Sequence, residues 1–242
     1  MKKRIFFSLL LTFSTLAFVA AQDLDEILDT YFETIGQEKI LEVKTMEASG
    51  KVVMMGAEGE FRTISKKPDK IRVEVQVMGN TIIQAYDGTN AWAINPMSGS
   101  ADPIDMTGPE ADGMIETSDM EGLLWNYEEK GHQLELEGSE EVDGSEAFVL
   151  KLTKQNGNID YYYIDSENYV ILKVKSKVIM NGSEIEVEAL MSNYQEVDGY
   201  LGAFTTEQRY NGQTGLTIQL SEIKYDVEVD DAIFVKPAVS LQ

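Results

Sequence analysis

Cysteine is absent from this chain of 242 residues. That one absence excludes disulfides, thiolate metal sites, a cysteine nucleophile and the acylated cysteine of a lipid-anchored exported protein. Histidine is nearly absent as well: the lone imidazole, His132, stands between Gly131 and Gln133. Without a second histidine or a thiolate it cannot build a zinc site of ordinary composition, and it reads as a surface residue at the start of a strand. Positive charge is scarce, with 20 basic residues against 42 acidic ones, a formal net charge of −22. Such a field repels nucleic acid and anionic lipid, so neither is an expected partner. Long apolar runs are missing except at the N-terminus.

There, Lys2, Lys3 and Arg4 precede an apolar stretch from Ile5 to Val19, followed by Ala20, Ala21 and Gln22. A basic start, a short apolar run and small residues at the cut specify a secretory signal peptide over residues 1–21. The apolar run falls short of the ~20 residues that a membrane span needs. Removing the leader takes three of the 20 basic residues and none of the 42 acidic ones, so 17 face 42, a net charge of −25. The expected product is a soluble periplasmic domain over 22–242, not lipid-anchored, and monomeric.

Apolar residues Leu24, Ile27, Leu28, Tyr31, Phe32 and Ile35 recur at three- and four-residue spacings and predict a helix from Asp23 to Gly36. The period then switches to two. The cleanest alternation sets Ile71, Val73, Val75 and Val77 against Arg72, Glu74, Gln76 and Met78. Ala85 to Pro96 reads as a strand, a two-residue turn on Asp87-Gly88, and a second strand carrying Trp92 that stops at Pro96. Further hairpin turns are marked by Asn181-Gly182, Asp198-Gly199 and Asn211-Gly212. Between Met97 and Lys130 the alternation fails. Met120, Leu123, Leu124 and Tyr127, with Trp125 beside them, predict a helix there, either a lid or a plug at the end of the core. The whole predicts a mainly β, single-domain open antiparallel β-barrel of about eleven strands, with an N-terminal helix and a lid helix.

No phosphate loop, no Gly-x-Ser-x-Gly and no spaced calcium loop occurs, so neither a catalytic residue, a metal ligand nor a cofactor is assigned. Paired carboxylates for hydrolysis remain open, because such pairing is spatial. Methionine is plentiful: 11 residues, ten of them after the leader. Unbranched thioethers repack around variable apolar ligands, or simply fill an irregular core.

Several short motifs occur in order: Gly59-Glu60-Phe61, Lys66-Lys67-Pro68-Asp69-Lys70-Ile71-Arg72, Asp87-Gly88 with Trp92 and Asn95-Pro96, Tyr162-Tyr163-Ile164-Asp165, Asn193-Tyr194, and Ile233-Phe234-Val235-Lys236-Pro237. Together they resemble the LolA-like periplasmic lipoprotein carriers, the outer-membrane lipoprotein-sorting proteins. The resemblance implies an unclosed barrel whose cavity shields lipoprotein or lipid acyl chains, with an inner-membrane releasing complex and an outer-membrane acceptor as partners. It makes Lys67 the lid latch, where the family carries arginine, and puts Ile71 where the family carries an aromatic. Ile71, Val73, Val75, Trp92, Met120, Leu123, Leu124 and Trp125 are the candidate lining and lid residues. A non-enzymatic carrier is the leading reading; an envelope-stress sensor of the same fold and a secreted carboxylate hydrolase are the alternatives.

Overall fold

The computed structural model describes residues 13–54, 56–180 and 182–238, with side chains from residue 24 on, Met180 excepted. Most of the leader expected over 1–21 lies outside the described residues, and so does the turn expected at Asn181. A helix, α1 (Phe13–Ile35), buries Leu24, Ile27, Leu28 and Ile35, as their spacing requires. It stops where Gly36 turns left-handed (φ 69), and a short α2 (Gln37–Glu42) follows.

Thirteen strands come next, two more than the sequence suggests: β1 (Thr45–Met54), β2 (Ala57–Lys66), β3 (Lys70–Val77), β4 (Asn80–Tyr86), β5 (Ala91–Asn95), β6 (Ser100–Asp105), β7 (Gln133–Val142), β8 (Ser145–Thr153), β9 (Ile159–Asp165), β10 (Ile171–Met180), β11 (Ser183–Val197), β12 (Tyr200–Tyr210) and β13 (Gln213–Tyr225). They form one sheet in the order β6-β5-β4-β3-β2-β1-β13-β12-β11-β10-β9-β8-β7. Two meanders thus join where β1 pairs antiparallel with β13. β6, Ser-Ala-Asp-Pro-Ile-Asp, has neither alternation nor β propensity, and sequence reading passes over it. It is an edge strand, where Pro103 and two aspartates are tolerated because one side of the ladder is unpaired.

Helix α3 (Pro109–Ser118) touches β3, β4 and β5 near one edge and β10 toward the other. Only a strongly curled sheet brings those strands within reach of one helix, so the sheet is an open barrel and the helices occupy its concave side. Register confirms the faces. Ile71 pairs with Tyr86 and Tyr86 with Ala91, and these three pack with Met106 and Met114 of the α3 segment. Leu134, Leu150, Leu152, Tyr162 and Ile164 of the other half pack against Leu24, Ile27 and Leu28 of α1 on the same concave side.

The convex side is closed over β3–β5 by the C-terminal segment. Phe234 is fully buried there, and Lys66 and Lys70 both bind Asp231, holding its carboxyl down to about 2. The Asp87-Gly88 hairpin proves looser than a two-residue turn. Its loop spans 87–90, with the Asp87 carboxylate accepting from Thr89 and Asn90 N–H at 2.9 and 2.7 Å.

Candidate functional site

The connection from edge β6 to edge β7, residues 106–132, crosses the concave side. Its helical part is α3, upstream of the helix predicted over 120–127. Pro109 at the first turn, with Glu110 and Asp112 beside it, favours a helix start, and Asp119 ends the helix by accepting Glu121 N–H at 3.0 Å. Beyond it, Gly122 (φ 80) and Asn126 (φ 50) are left-handed, so 119–131 is a series of turns and the predicted lid helix is corrected to a looped cover. The apolar spacing read as helical records successive turns facing one core.

Within this cover Leu124 is buried with α1, Leu123 and Tyr127 pack against the same cluster, and Trp125 meets Phe32 edge-on at 4.9 Å. Met120 is half-buried. Lys67, in the β2–β3 turn, donates from Nζ to Leu41 O at 2.9 Å and to Glu121 Oε1 at 2.8 Å. Gln37 Nε2 donates to Glu121 O at 2.9 Å, so one residue of the cover is held by both its side chain and its carbonyl.

A second clamp was not visible in the sequence. Lys154, 8% exposed in the β8–β9 loop, binds Glu116 of α3 at 2.8 Å and Asp160 of β9 at 3.0 Å. Burial works against the charged ammonium, yet the bonds to Glu116 and Asp160 outweigh it and raise Lys154. Burial raises the Glu116 carboxyl, and the Lys154 bond only partly reverses that. The raised acid is therefore bonded to a lysine, unlike the facing carboxyl pair of a glycoside hydrolase. His132 is half-buried beside this clamp, a correction to its surface reading. Its Nδ1 accepts Gln155 N–H at 3.1 Å, and burial, with Lys130 and Lys154 adding to it, pushes its pKa down.

Ile71, Val73 and Val75 share the concave face. Ile71 is buried under α3, while Val73 and Val75 stay half-exposed. The ladders extend that face through Phe61, Met54, Leu216, Ile218 and Met191, all half-exposed. Trp92 is the exception. It pairs with Ala85, and Ala85 with Arg72, which puts it on the convex face. There it is 1% exposed, donates from Nε1 to Phe234 O at 2.7 Å and lies under the Arg72 guanidinium. It anchors the C-terminal strap and does not line the concave space. The parity of Trp92 relative to Ile71 depends on the 87–90 loop length, which the Asp-Gly signal misjudges.

Among the described residues no cluster of three His, Asp or Glu is placed to hold a metal ion, and no helix is long and apolar enough to cross a membrane.

A curled, unclosed antiparallel sheet with helices on its concave side defines an open β-barrel, and solved structures share it. A DUF1329 family protein from Desulfovibrio piger superposes with a TM-score of 0.58 at 13% identity, covering 86% of this chain and 97% of its own. A putative outer membrane lipoprotein-sorting protein domain from Vibrio parahaemolyticus gives 0.57 at 15% identity, over 86% and 94%. A LolA superfamily protein from Nitrosomonas europaea gives 0.57 at 16% identity, over 86% and 97%. The fold is thus that of LolA superfamily and lipoprotein-sorting structures. No family model matches the sequence, and no curated protein matches it either.

Proposed function

We propose that the protein is a non-enzymatic periplasmic carrier that binds the acyl chains of lipoproteins or lipids against its concave face and moves them toward the outer membrane. One observation carries the reading: the concave face bears half-exposed apolar side chains on five neighbouring strands, Val73, Val75, Phe61, Met54, Ile218 and Met191, beside a cover held by polar clamps. A face built only as a core would be covered throughout. An acyl chain with roughly ten buried methylenes at about 0.8 kcal/mol each gains about 8 kcal/mol, enough for micromolar binding with no charged contact. Lys67 serves as the latch in this reading, with Glu121 as its partner, and Leu123, Leu124 and Trp125 form the underside of the cover. The likeness to lipoprotein-sorting structures supports the same cargo class, with a releasing complex in the inner membrane and an acceptor in the outer membrane as partners.

Lipids extracted from protein purified without detergent are to be identified by mass spectrometry, and binding of a fluorescent fatty acid measured for wild type and Ile218→Asp. Acylated species in the extract, with binding weakened at least tenfold in the variant, are expected. An extract free of acyl groups together with no fatty-acid binding refutes the carrier.

A further inference from the structure

In an antiparallel sheet alternate turns share an end, and the two ends of this barrel differ in chemistry. One end carries the turns at 67–69, 87–90, 143–144, 165–169 and 198–199, every one containing aspartate. The other end carries the β1–β2, β3–β4, β5–β6, β8–β9, β10–β11 and β12–β13 turns. In five of these six turns the runs 52–57, 75–86, 88–101, 178–183 and 210–221 hold no charged residue, in a chain whose charged fraction is 26%, and the sixth, β8–β9, carries Lys154, buried and bonded to Glu116 and Asp160.

Among the described residues, six of the nine exposed large apolar side chains gather at this end: Val53, Met78, Met97, Ile159, Ile179 and Tyr210. Met78 is the most exposed, at 59%. It also occupies a left-handed backbone position, φ 52, with Gly79 following at φ 74. At the equivalent turns the chain uses Asp143, Asp198 and Asn211, which tolerate that conformation. Placing methionine there strains the backbone and exposes a thioether, with no gain in packing inside the fold. Behind the β1–β2 and β10–β11 tips the nearest charges are paired across the hairpins, Lys51 with Glu58 at 2.6 Å and Lys177 with Glu184 at 2.8 Å, while Arg209, bonded to Glu207, and Asp102 stand closer to the β12–β13 and β5–β6 turns. At about 3.4 Å per residue, the Lys51–Glu58 and Lys177–Glu184 pairs sit roughly 10 Å behind their two turns, comparable with the depth to which an apolar surface enters the boundary between headgroups and acyl chains.

We infer that this end docks on a zwitterionic lipid surface, the tips of separate hairpins entering it. The contacts are single side chains beside separate turns distributed around the rim, not one groove. A fluid layer accommodates such points, whereas a folded partner needs a matching pocket for each. Charge selects the lipid. With a net charge of −22 the protein is repelled by an anionic surface, and the end whose turns lack aspartate approaches lipid with the smaller desolvation of carboxylates, Glu116 and Asp160 there being already bonded to Lys154. Met54, on the concave face at the last residue of β1, makes the rim continuous with the apolar lining. The inference stands on the rim alone and does not require that the concave face hold cargo.

Flotation of the purified protein with phosphatidylcholine vesicles, and with equimolar phosphatidylcholine–phosphatidylglycerol vesicles, tests it. Binding to the first and weaker binding to the second are expected. Met78→Asp and Ile179→Asp are each expected to weaken flotation by about tenfold, and Ile104→Asp, exposed on edge β6 away from the rim, to leave it unchanged. Met78→Asp restores the residue type used at Asp143 and Asp198, so the fold is expected to persist, and a thermal melt verifies this. Because the chain has no cysteine, a polarity-sensitive dye on Met78→Cys and on Asp198→Cys reports each end separately. A blue shift with vesicles at 78 alone supports the docking. Failure of the wild type to float, equal shifts at both ends, or capture of the rim by a protein partner without vesicle binding overturns it. Flotation retained in a protein that binds no fatty acid refutes the carrier reading and leaves this one standing.

Discussion

Lys67→Met tests how the cover is held. The substitution keeps most of the aliphatic stem and removes an ammonium that donates to Leu41 O at 2.9 Å and to Glu121 Oε1 at 2.8 Å. The two side chains are 21% and 32% exposed, so the pair lies between a surface bridge, worth at most about 1 kcal/mol, and a buried one, whose breaking costs about 3 kcal/mol or more. Adding the lost carbonyl bond, we take about 2 kcal/mol, which multiplies the open fraction of the cover about thirtyfold. Hydrogen exchange of the amides between Gly122 and His132, bonded within this segment, reads that number directly. Exchange there is expected to accelerate about thirtyfold while the β8–β9 and β1–β13 amides keep their protection. Glu121→Gln should act in the same direction, and the double mutant should show coupling of about 1 kcal/mol or more. A coupling near zero, or acceleration spread evenly over the whole sheet, refutes the latch, since the pair would then be incidental or part of global stability.

Three further outcomes are expected. Gly36→Ala should destabilise by about 2 kcal/mol or more in chemical denaturation, because φ is 69 there and an added Cβ would meet Gly199 O at 2.0 Å. For Glu116 the sign follows from burial: its folded pKa is raised above the ordinary 4.5, so its contribution to stability is full below 4.5 and is lost as pH rises through the folded value. Glu116→Gln should flatten that part of the stability-versus-pH curve measured by thermal melts, and an unchanged slope would refute the assignment. Trp92→Phe removes the 2.7 Å bond to Phe234 O and should cost about 1–3 kcal/mol, leaving fatty-acid binding unaltered because the ring lies on the convex face.

Local periodicity made the strands and α1 legible. The alternation of Ile71, Val73, Val75 and Val77 assigns their face correctly, and the helical spacing from Leu24 to Ile35 names the residues that α1 buries. What escaped depends on relations that periodicity does not carry. The side of Trp92 is fixed by the number of residues in a loop, since one residue reverses every side chain beyond it. The 119–131 turns share the apolar spacing of a helix, and only the left-handed Gly122 and Asn126 separate the two; a glycine and an asparagine four apart were the available signal. The clamp joins Glu116 to Lys154 and Asp160 on a distant hairpin, among 42 acids that give no reason to choose two.

The openness of the barrel follows from its edges. Closure would require β6 to pair with β7. β6 offers Pro103, which lacks an N–H, between Asp102 and Asp105, while β7 offers Glu135, Glu137, Glu140 and Glu141 and an irregularity at Leu136/Gly138. Pairing them would bring carboxylates together along a ladder with a missing donor, so the edges repel where a closed barrel needs attraction. The apolar interior must then be shielded by the connection between those two edges, and that connection is bound differently from the sheet. From α3 onward it can lift without breaking a ladder hydrogen bond, opposed by the Lys67–Glu121, Gln37–Glu121 and Lys154–Glu116 contacts and by the burial of side chains such as Met114 and Leu124. Because that opposition is confined to a handful of contacts, the cover opens locally before the paired strands do. The sequence that keeps the edges apart therefore also makes the cover the part of the molecule most readily moved, and an apolar ligand entering the concave space need only displace that segment while the thirteen-stranded scaffold stays intact.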